Sequence, residues 1–292
     1  MSFSTRSIPF HCIASLLSRR LGLLAACLFL AACTTIQTTQ PGTVGADRKQ
    51  TVSPLVNVKD LTQQAGLEYQ QVLGSAQKSN ALNVDKGQTQ RVRQIADRLI
   101  PGVAVFRPDA LNWKWEVNVL TSKEMNAWCM PGGKIAVYSG LIDQLKLTDD
   151  ELAAVMGHEI AHALREHAWE RASKTANAQL GLAVLGIALG QPSLTNDLGG
   201  MAYQAMFGLP NSREQETEAD RIGVELAARA GYDPRAAVSL WDKMARQSSG
   251  SGPPQWLSTH PSQEARQADL AVYAEKVLPL YEEARLKGKN AK

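Results

Sequence analysis

The sequence predicts an α+β fold, mostly helical, in which a small antiparallel sheet precedes helices packed around one central helix. Three observations carry this. Residues 112–120 alternate, with Trp113, Trp115, Val117 and Val119 on one face and Lys114, Glu116 and Asn118 on the other, the period of a half-buried strand. Pro131-Gly132-Gly133 reads as a turn and Lys134 to Tyr138 as a second strand. From Thr148 onward the pattern is helical almost throughout: 148–171, 174–190, 194–207, 212–230, 234–247 and 262–287.

The elements follow in chain order. Arg19-Arg20 precedes an apolar run from Leu21 to Ala32. That run is shorter than the roughly 20 residues a bilayer span needs, and it fits the apolar core of a secretory signal. Leu30-Ala31-Ala32-Cys33 resembles a bacterial lipobox, so Cys33 is expected to carry lipid and to begin the mature chain. Leu24-Ala25-Ala26-Cys27 matches as well, but cleavage there would leave Leu28 to Ala32 as an apolar mature end. Thr34 after the cysteine resembles the outer-membrane sorting pattern of a Gram-negative host. The expected organisation is therefore a lipoprotein signal peptide over 1–32, a flexible tether over 33–57 and one domain over 58–292. Residues 59–80 and 87–100 read as polar amphipathic helices, the second ending at Pro101-Gly102. Leu180 to Leu189 is apolar all round, which suits a buried or lid-like helix better than a membrane-dipping hairpin. Ser248 to Pro254 reads as a mobile loop.

Composition narrows the function. The 292 residues are 44% apolar and 20% charged, which gives ample material for a packed core and argues against disorder. The net charge of +3 comes from Arg6, Arg19 and Arg20, so the rest is neutral and offers no electrostatic footprint for nucleic acid. No glycine-rich phosphate loop follows a strand. Of the four cysteines only Cys129 would remain free in the mature chain, so no internal disulfide is possible there.

The chemistry centres on His158-Glu159-Ile160-Ala161-His162. Thr148 as N-cap and Glu151 three residues on form a capping box that starts this helix. The i,i+4 spacing places both imidazoles on one face, where they can share a metal ion. Glu159 lies about 100° around the helix, able to reach an attacking water without ligating the metal. Two of only five histidines make this pair, and its flanks are apolar. His167 falls half a turn off the ligand face, Ala168 stands where an extended motif would place a third histidine, and Glu166 is two turns away. The third ligand must come from another helix. Ser212 to Asp220 supplies carboxylates, with Glu214, Glu216 and Glu218 all candidates and an acidic helix start as the plain explanation for any of them.

HEIAH, then SREQETEAD, then Thr259-His260-Pro261 with Arg266 resemble the HtpX-like and CAAX-prenyl-endopeptidase-like family of gluzincin metallopeptidases, in its periplasmic lipoprotein branch. Asn126 to Lys134 and Ala230-Gly231-Tyr232-Asp233-Pro234 fit the same family. The resemblance implies a zincin-like metallopeptidase domain with one catalytic zinc held by His158, His162 and Glu216. It implies Asp220 as the residue that orients a ligand histidine, and Glu159 as the base. It places His260 in the cleft and Arg266 near it, either stabilising an oxyanion, with capping of the metal at rest as a second role for His260. It makes Asn126, Ala127, Trp128, Cys129 and Met130 a cleft-edge strand to which an extended peptide adds. Asn211, where tyrosine is common, and Cys129, where an apolar residue is usual, depart from the pattern and are expected not to touch the metal. The implied function is an endopeptidase of the bacterial envelope acting on misfolded or unassembled envelope proteins. The alternatives are a chaperone-like lipoprotein working with outer-membrane assembly machinery and cleaving rarely, and a zinc amidase on cell-wall peptides.

Overall fold

The computed structural model describes residues 34–188, 200, 203–251, 255–260 and 264–290. The segment read as a signal peptide, with Cys33, lies outside them, as do Pro261 and part of the stretch read as a helix over 194–207.

The first described segment departs from the expected tether. Strands β1 (Thr34–Ile36) and β2 (Gln50–Val52) pair antiparallel. Between and after them Thr39, Val44, Ala46, Gln50, Val52 and Val56 are buried. The Gln40 N–H donates to the Phe106 carbonyl at 2.7 Å and the Val44 N–H to Glu225 Oε2 at 2.9 Å. Polar composition disguised this segment, because its backbone and side-chain polar groups are satisfied by the domain rather than by water.

Helix α1 (Val58–Lys78) is capped by Asn57 and α2 (Lys86–Leu99) by Asp85, each side chain accepting a first-turn N–H. A 3₁₀ turn (Ile100–Val105) begins at the expected Pro101 boundary. Strands β3 (Glu116–Leu120), β4 (Ala127–Met130) and β5 (Lys134–Tyr138) form a sheet of order β3-β5-β4. β4 and β5 pair antiparallel, whereas the two strands read from the periodicity, β3 and β5, run parallel. The sheet is covered on both faces: Ala65 and Tyr69 of α1 pack with Leu120, Trp128, Met130 and Ala136, while Val119, Cys129, Ile135 and Val137 join the main core. Asn118, read as solvent-facing, is accordingly buried, donating to Tyr69 Oη and accepting from Asn83 Nδ2, both at 2.7 Å.

Helices α3 (Ser139–Leu145) and α4 (Asp149–Leu164) follow, and the Thr148–Glu151 capping box forms at the start of α4. The single helix expected over 148–171 is broken. Glu166 adopts φ +52°, and α5 (His167–Ala188) starts anew. The break is a tertiary effect: Thr38 and Gln50 donate to the Arg165 carbonyl, and Arg107 donates to the Leu164 carbonyl at 3.2 Å. In α5 Leu182 is exposed while Ala183 is buried, so its apolar stretch is only partly covered. Among the described residues no helix is long and apolar enough to cross a membrane.

Helix α6 (Arg213–Arg229) opens on a second capping box, Ser212 with Gln215. Helix α7 (Ala236–Ser251) runs into the stretch read as a loop. Serine and glycine weaken a helix without stopping it, and residues 252–254 lie outside the described ones. The short α8 (Gln255–Thr259) and long α9 (Glu264–Asn290) close the fold.

One contact sets the site's dimensions. α4 and α6 cross with Gly157 against Gly223, and a Cβ at either position would lie 2.7 Å from the opposing backbone. Only glycine permits so close an approach.

Candidate metal centre and cleft

His158 and His162 project from α4 and Glu216 and Asp220 from α6, all buried. The two histidine Nε2 atoms are 3.0 Å apart. Glu216 Oε2 is 3.6 Å from His158 Nε2 and Oε1 is 3.4 Å from His162 Nε2. With His260, these residues offer ligand atoms that all lie within 4.8 Å of one another. Glu216 Oε2 pairs with Arg266 Nη1 at 2.6 Å, whereas Oε1 has no hydrogen-bond partner. A buried carboxylate whose two oxygens each face one imidazole nitrogen, with Oε1 left without a donor, calls for a cation, and the His/His/Glu set suits zinc.

Two chains of contacts orient the histidines. Asp220 Oδ1 lies 3.0 Å from His158 Nδ1, which presents Nε2 forward. Asp220 is itself gripped by Arg266, whose Nε and Nη2 both donate at 2.7 Å. On the other side His162 Nδ1 lies 2.7 Å from His167 Nδ1, and His167 Nε2 lies 3.0 Å from Glu218 Oε2. Glu218 accepts only, so His167 carries its proton on Nε2 and its Nδ1 accepts from His162. Arg165 and Arg48 hold Glu218 in turn, at 2.8 and 2.9 Å. Arg48 belongs to the segment read as a tether. Sequence spacing discounted His167 as a ligand and missed this role behind one. Its position after the Glu166 break, which turns the chain, is what supplies it.

Burial alone would lower the His158 pKa, but Asp220, Glu216 and Glu159 outweigh it and raise it. Burial and the neighbouring imidazoles hold His162 well below its usual range. Burial takes His167 down to about 4 against the pull of Glu218. Burial works upward on Glu218, yet its bonds to His167 and Arg48 bring it to about 2. Glu159 is pushed up to about 7, by burial first and by Glu216 in addition.

Glu159, His162, His260, Asn211 and Arg171 line a cleft whose rim is Asn126, Ala127, Trp128, Cys129 and Met130. β4 is the sheet's edge strand, paired on one side with β5 only. The Cys129 thiol is buried and its pKa pushed up by that burial. α8 delivers two residues over the site. Trp256 Nε1 donates to Glu159 Oε1 at 2.6 Å, and the His260 ring stacks on Trp256 at 4.6 Å. His260 Nδ1 is 3.0 Å from the Trp256 carbonyl oxygen, which only accepts, so that nitrogen carries the proton. Its Nε2 therefore bears a lone pair, suited to a metal and unable to donate to an oxyanion.

One expectation needs correction. Arg266 was placed near the cleft as an oxyanion donor; it sits behind the ligands, its guanidinium committed to Asp220 and Glu216 and covering Trp241. Asn211, expected not to touch the metal, stands beside a ligand: its Nδ2 is 3.5 Å from His162 Nε2. Trp256 and Arg171 had no signal in the sequence, since neither belongs to a spaced motif.

Residues 86–274 match the model of peptidase family M48. The mitochondrial metalloendopeptidase OMA1 of Arabidopsis thaliana is 39% identical over 176 residues, 59% of this chain and 34% of that protein. OMA1 of Saccharomyces cerevisiae is 31% identical over 178 residues, 59% of this chain and 50% of that protein. The β-barrel assembly-enhancing protease of Escherichia coli is 31% identical over 203 residues, 66% of this chain and 40% of that protein. The chain thus spans between a third and a half of the length of these curated relatives.

Proposed function

The chain belongs to peptidase family M48, and from that premise we propose that it is a zinc-dependent endopeptidase of the bacterial envelope, anchored through lipid on Cys33 and acting on misfolded or unassembled envelope proteins. The observation that carries the chemistry is the convergence of His158, His162 and Glu216 on one buried point beside Glu159. When bound, zinc supplies Lewis-acid polarisation of the scissile carbonyl and activates the attacking water. Glu159, adjacent to the ligand His158 and lining the cleft, takes the proton of that water and returns it to the leaving amine. Burial raises its pKa in the metal-free site, which favours a carboxyl able both to take and to return a proton. The side of β4 that pairs with no strand borders the cleft and could add an extended chain through backbone hydrogen bonds, which favours unfolded substrates over one fixed sequence.

The envelope assignment and the placement in the periplasmic lipoprotein branch rest on the lipobox ending at Cys33 and on the similarity to the β-barrel assembly-enhancing protease. The intact base and ligand set favour proteolysis over a purely chaperone-like role, because binding alone needs no Glu159. The deciding experiment compares new N-termini in an envelope extract treated with wild type and with Glu159→Gln. Cleavages in folded, assembled proteins only, or none above the variant, would overturn the proposal. Mass spectrometry of the membrane-extracted N-terminus tests the anchor, and an unmodified start or one at Cys27 would remove it.

A second reading concerns the resting state. His260 completes a fourth position around the ligand set while Trp256 occupies Glu159, which supports a latent form opened by displacement of α8.

A further inference from the structure

Hydrolysis of a peptide needs a hydrogen-bond donor where negative charge develops on the carbonyl oxygen. Neither Arg266 nor His260 is built for it: Arg266 is committed to Asp220 and Glu216, and His260 presents a lone pair. Asn211 fills the gap. It lines the cleft with Glu159 and His162, and is 8% exposed. Its backbone N–H donates to the Thr259 carbonyl at 3.0 Å, and Ser212 next to it is the capped start of α6, so the residue is fixed at both ends.

The orientation of its carboxamide is determined by its partners. Arg171 Nη1 donates to Asn211 Oδ1, and a guanidinium cannot accept, so the oxygen faces Arg171. Arg171 is anchored from behind by its Nε, which donates to the Ala205 carbonyl at 2.7 Å. The amide nitrogen is thereby turned toward His162 Nε2, at 3.5 Å. In the metal-free protein that Nε2 can accept one of its hydrogens. Once a metal takes the same lone pair, the N–H loses its acceptor and remains as a positioned donor beside the ligand nitrogen.

We propose that Asn211, aimed by Arg171, is a catalytic residue that donates a hydrogen bond from Nδ2 to the oxyanion formed at the scissile carbonyl. No covalent change occurs at Asn211; the water's proton still passes through Glu159. A donor at Asn211 also explains why His260 is free to serve as a ligand at rest.

The test uses the full chain carrying Asn211→Asp and Asn211→Ala, with zinc content and thermal unfolding measured on each. The aspartate has the same shape and keeps a partner for Arg171 but lacks the N–H, which guards against a mere packing defect. Both variants are expected to retain one zinc and to lose about 10²–10³ in kcat on an unfolded substrate, with KM changed by less than about threefold. On a Glu159→Gln background, calorimetric affinity for a phosphinic peptide, whose tetrahedral oxygens mimic the oxyanion, is expected to fall by a similar factor while affinity for the matching substrate peptide holds. Either variant keeping kcat within about threefold of wild type would overturn the proposal. So would loss of zinc in the aspartate variant, which would assign Asn211 to the metal, or an effect confined to KM.

Discussion

Substituting Gly223 tests whether the metal centre depends on the closeness of two helices. The methyl of Gly223→Ala would lie 2.7 Å from the His158 backbone nitrogen and 2.9 Å from the Gly157 carbonyl carbon and His158 Cα. Those neighbours are backbone, so no rotamer change relieves the clash. Ordinary contact begins near 3.4 Å, so α4 and α6 must part by about 0.7 Å. The ligand set straddles this crossing, with His158 and His162 on one helix and Glu216 on the other. Metal–ligand distances tolerate only about 0.2 Å, so the separation cannot be absorbed at the ion. Overpacking of this kind costs about 1–3 kcal/mol. If that cost falls on the bound state, zinc affinity drops by about 10–100-fold, at about 1.4 kcal/mol per decade. Competition against a chromogenic chelator measures it, with thermal unfolding followed with and without zinc. Gly66→Ala is the control: nothing lies within 4 Å of its added methyl, and helix propensity favours alanine by about 1 kcal/mol. A Gly223→Ala protein with zinc affinity within about threefold of wild type and an unchanged melting temperature would refute the reasoning.

Other outcomes follow from the same geometry. His167→Asn stays within the buried volume but withdraws the ring nitrogen that accepts from His162 Nδ1–H, and should weaken zinc by about 10–100-fold in the chelator assay; unchanged affinity would leave His167 as packing. His260→Ala should raise basal cleavage of casein, because Nε2 bears a lone pair and caps rather than donates; a fall in turnover would reverse that assignment. The base must be ionised, so kcat/KM should fall as pH drops through the Glu159 pKa, which is about 7 without a metal and lower beside a bound cation; an acid limb above pH 8 would exclude Glu159 as its source. His167 titrates at about 4 when folded and near its usual 6.5 when unfolded, so the unfolded chain binds more protons between those values. Metal-free protein should therefore lose stability as pH falls from 6.5 to 4, read as a falling urea midpoint, and a flat midpoint over that window would contradict the buried neutral histidine.

Much of the site was legible in the sequence because its parts are local. The i,i+4 pair His158 and His162, the base between them and the Thr148–Glu151 cap all lie within one helix, whose periodicity places them without reference to anything else. The Lys134–Tyr138 strand and the start of α1 were legible for the same reason. The choice among Glu214, Glu216 and Glu218 was not, since all three lie on one short acidic stretch and only the crossing of α6 over α4 distinguishes them. That crossing turns Glu216 to the two imidazoles and Glu218 to Arg165 and His167.

What the sequence by itself determined is the chemistry available: two imidazoles and a carboxylate base on one helix, and an acidic partner helix. What only the tertiary structure decided is which groups stand behind those residues and which stand before them. Arg266 is drawn behind the ligands by two carboxylates, and Asn211 is turned toward them by Arg171. Residues 34–56 fold onto the domain, where Arg48 joins Glu170 and Glu218. These assignments depend on buried polar groups finding partners far away in the chain. Periodicity reports only which face of an element is covered, and so it carries no record of that pairing.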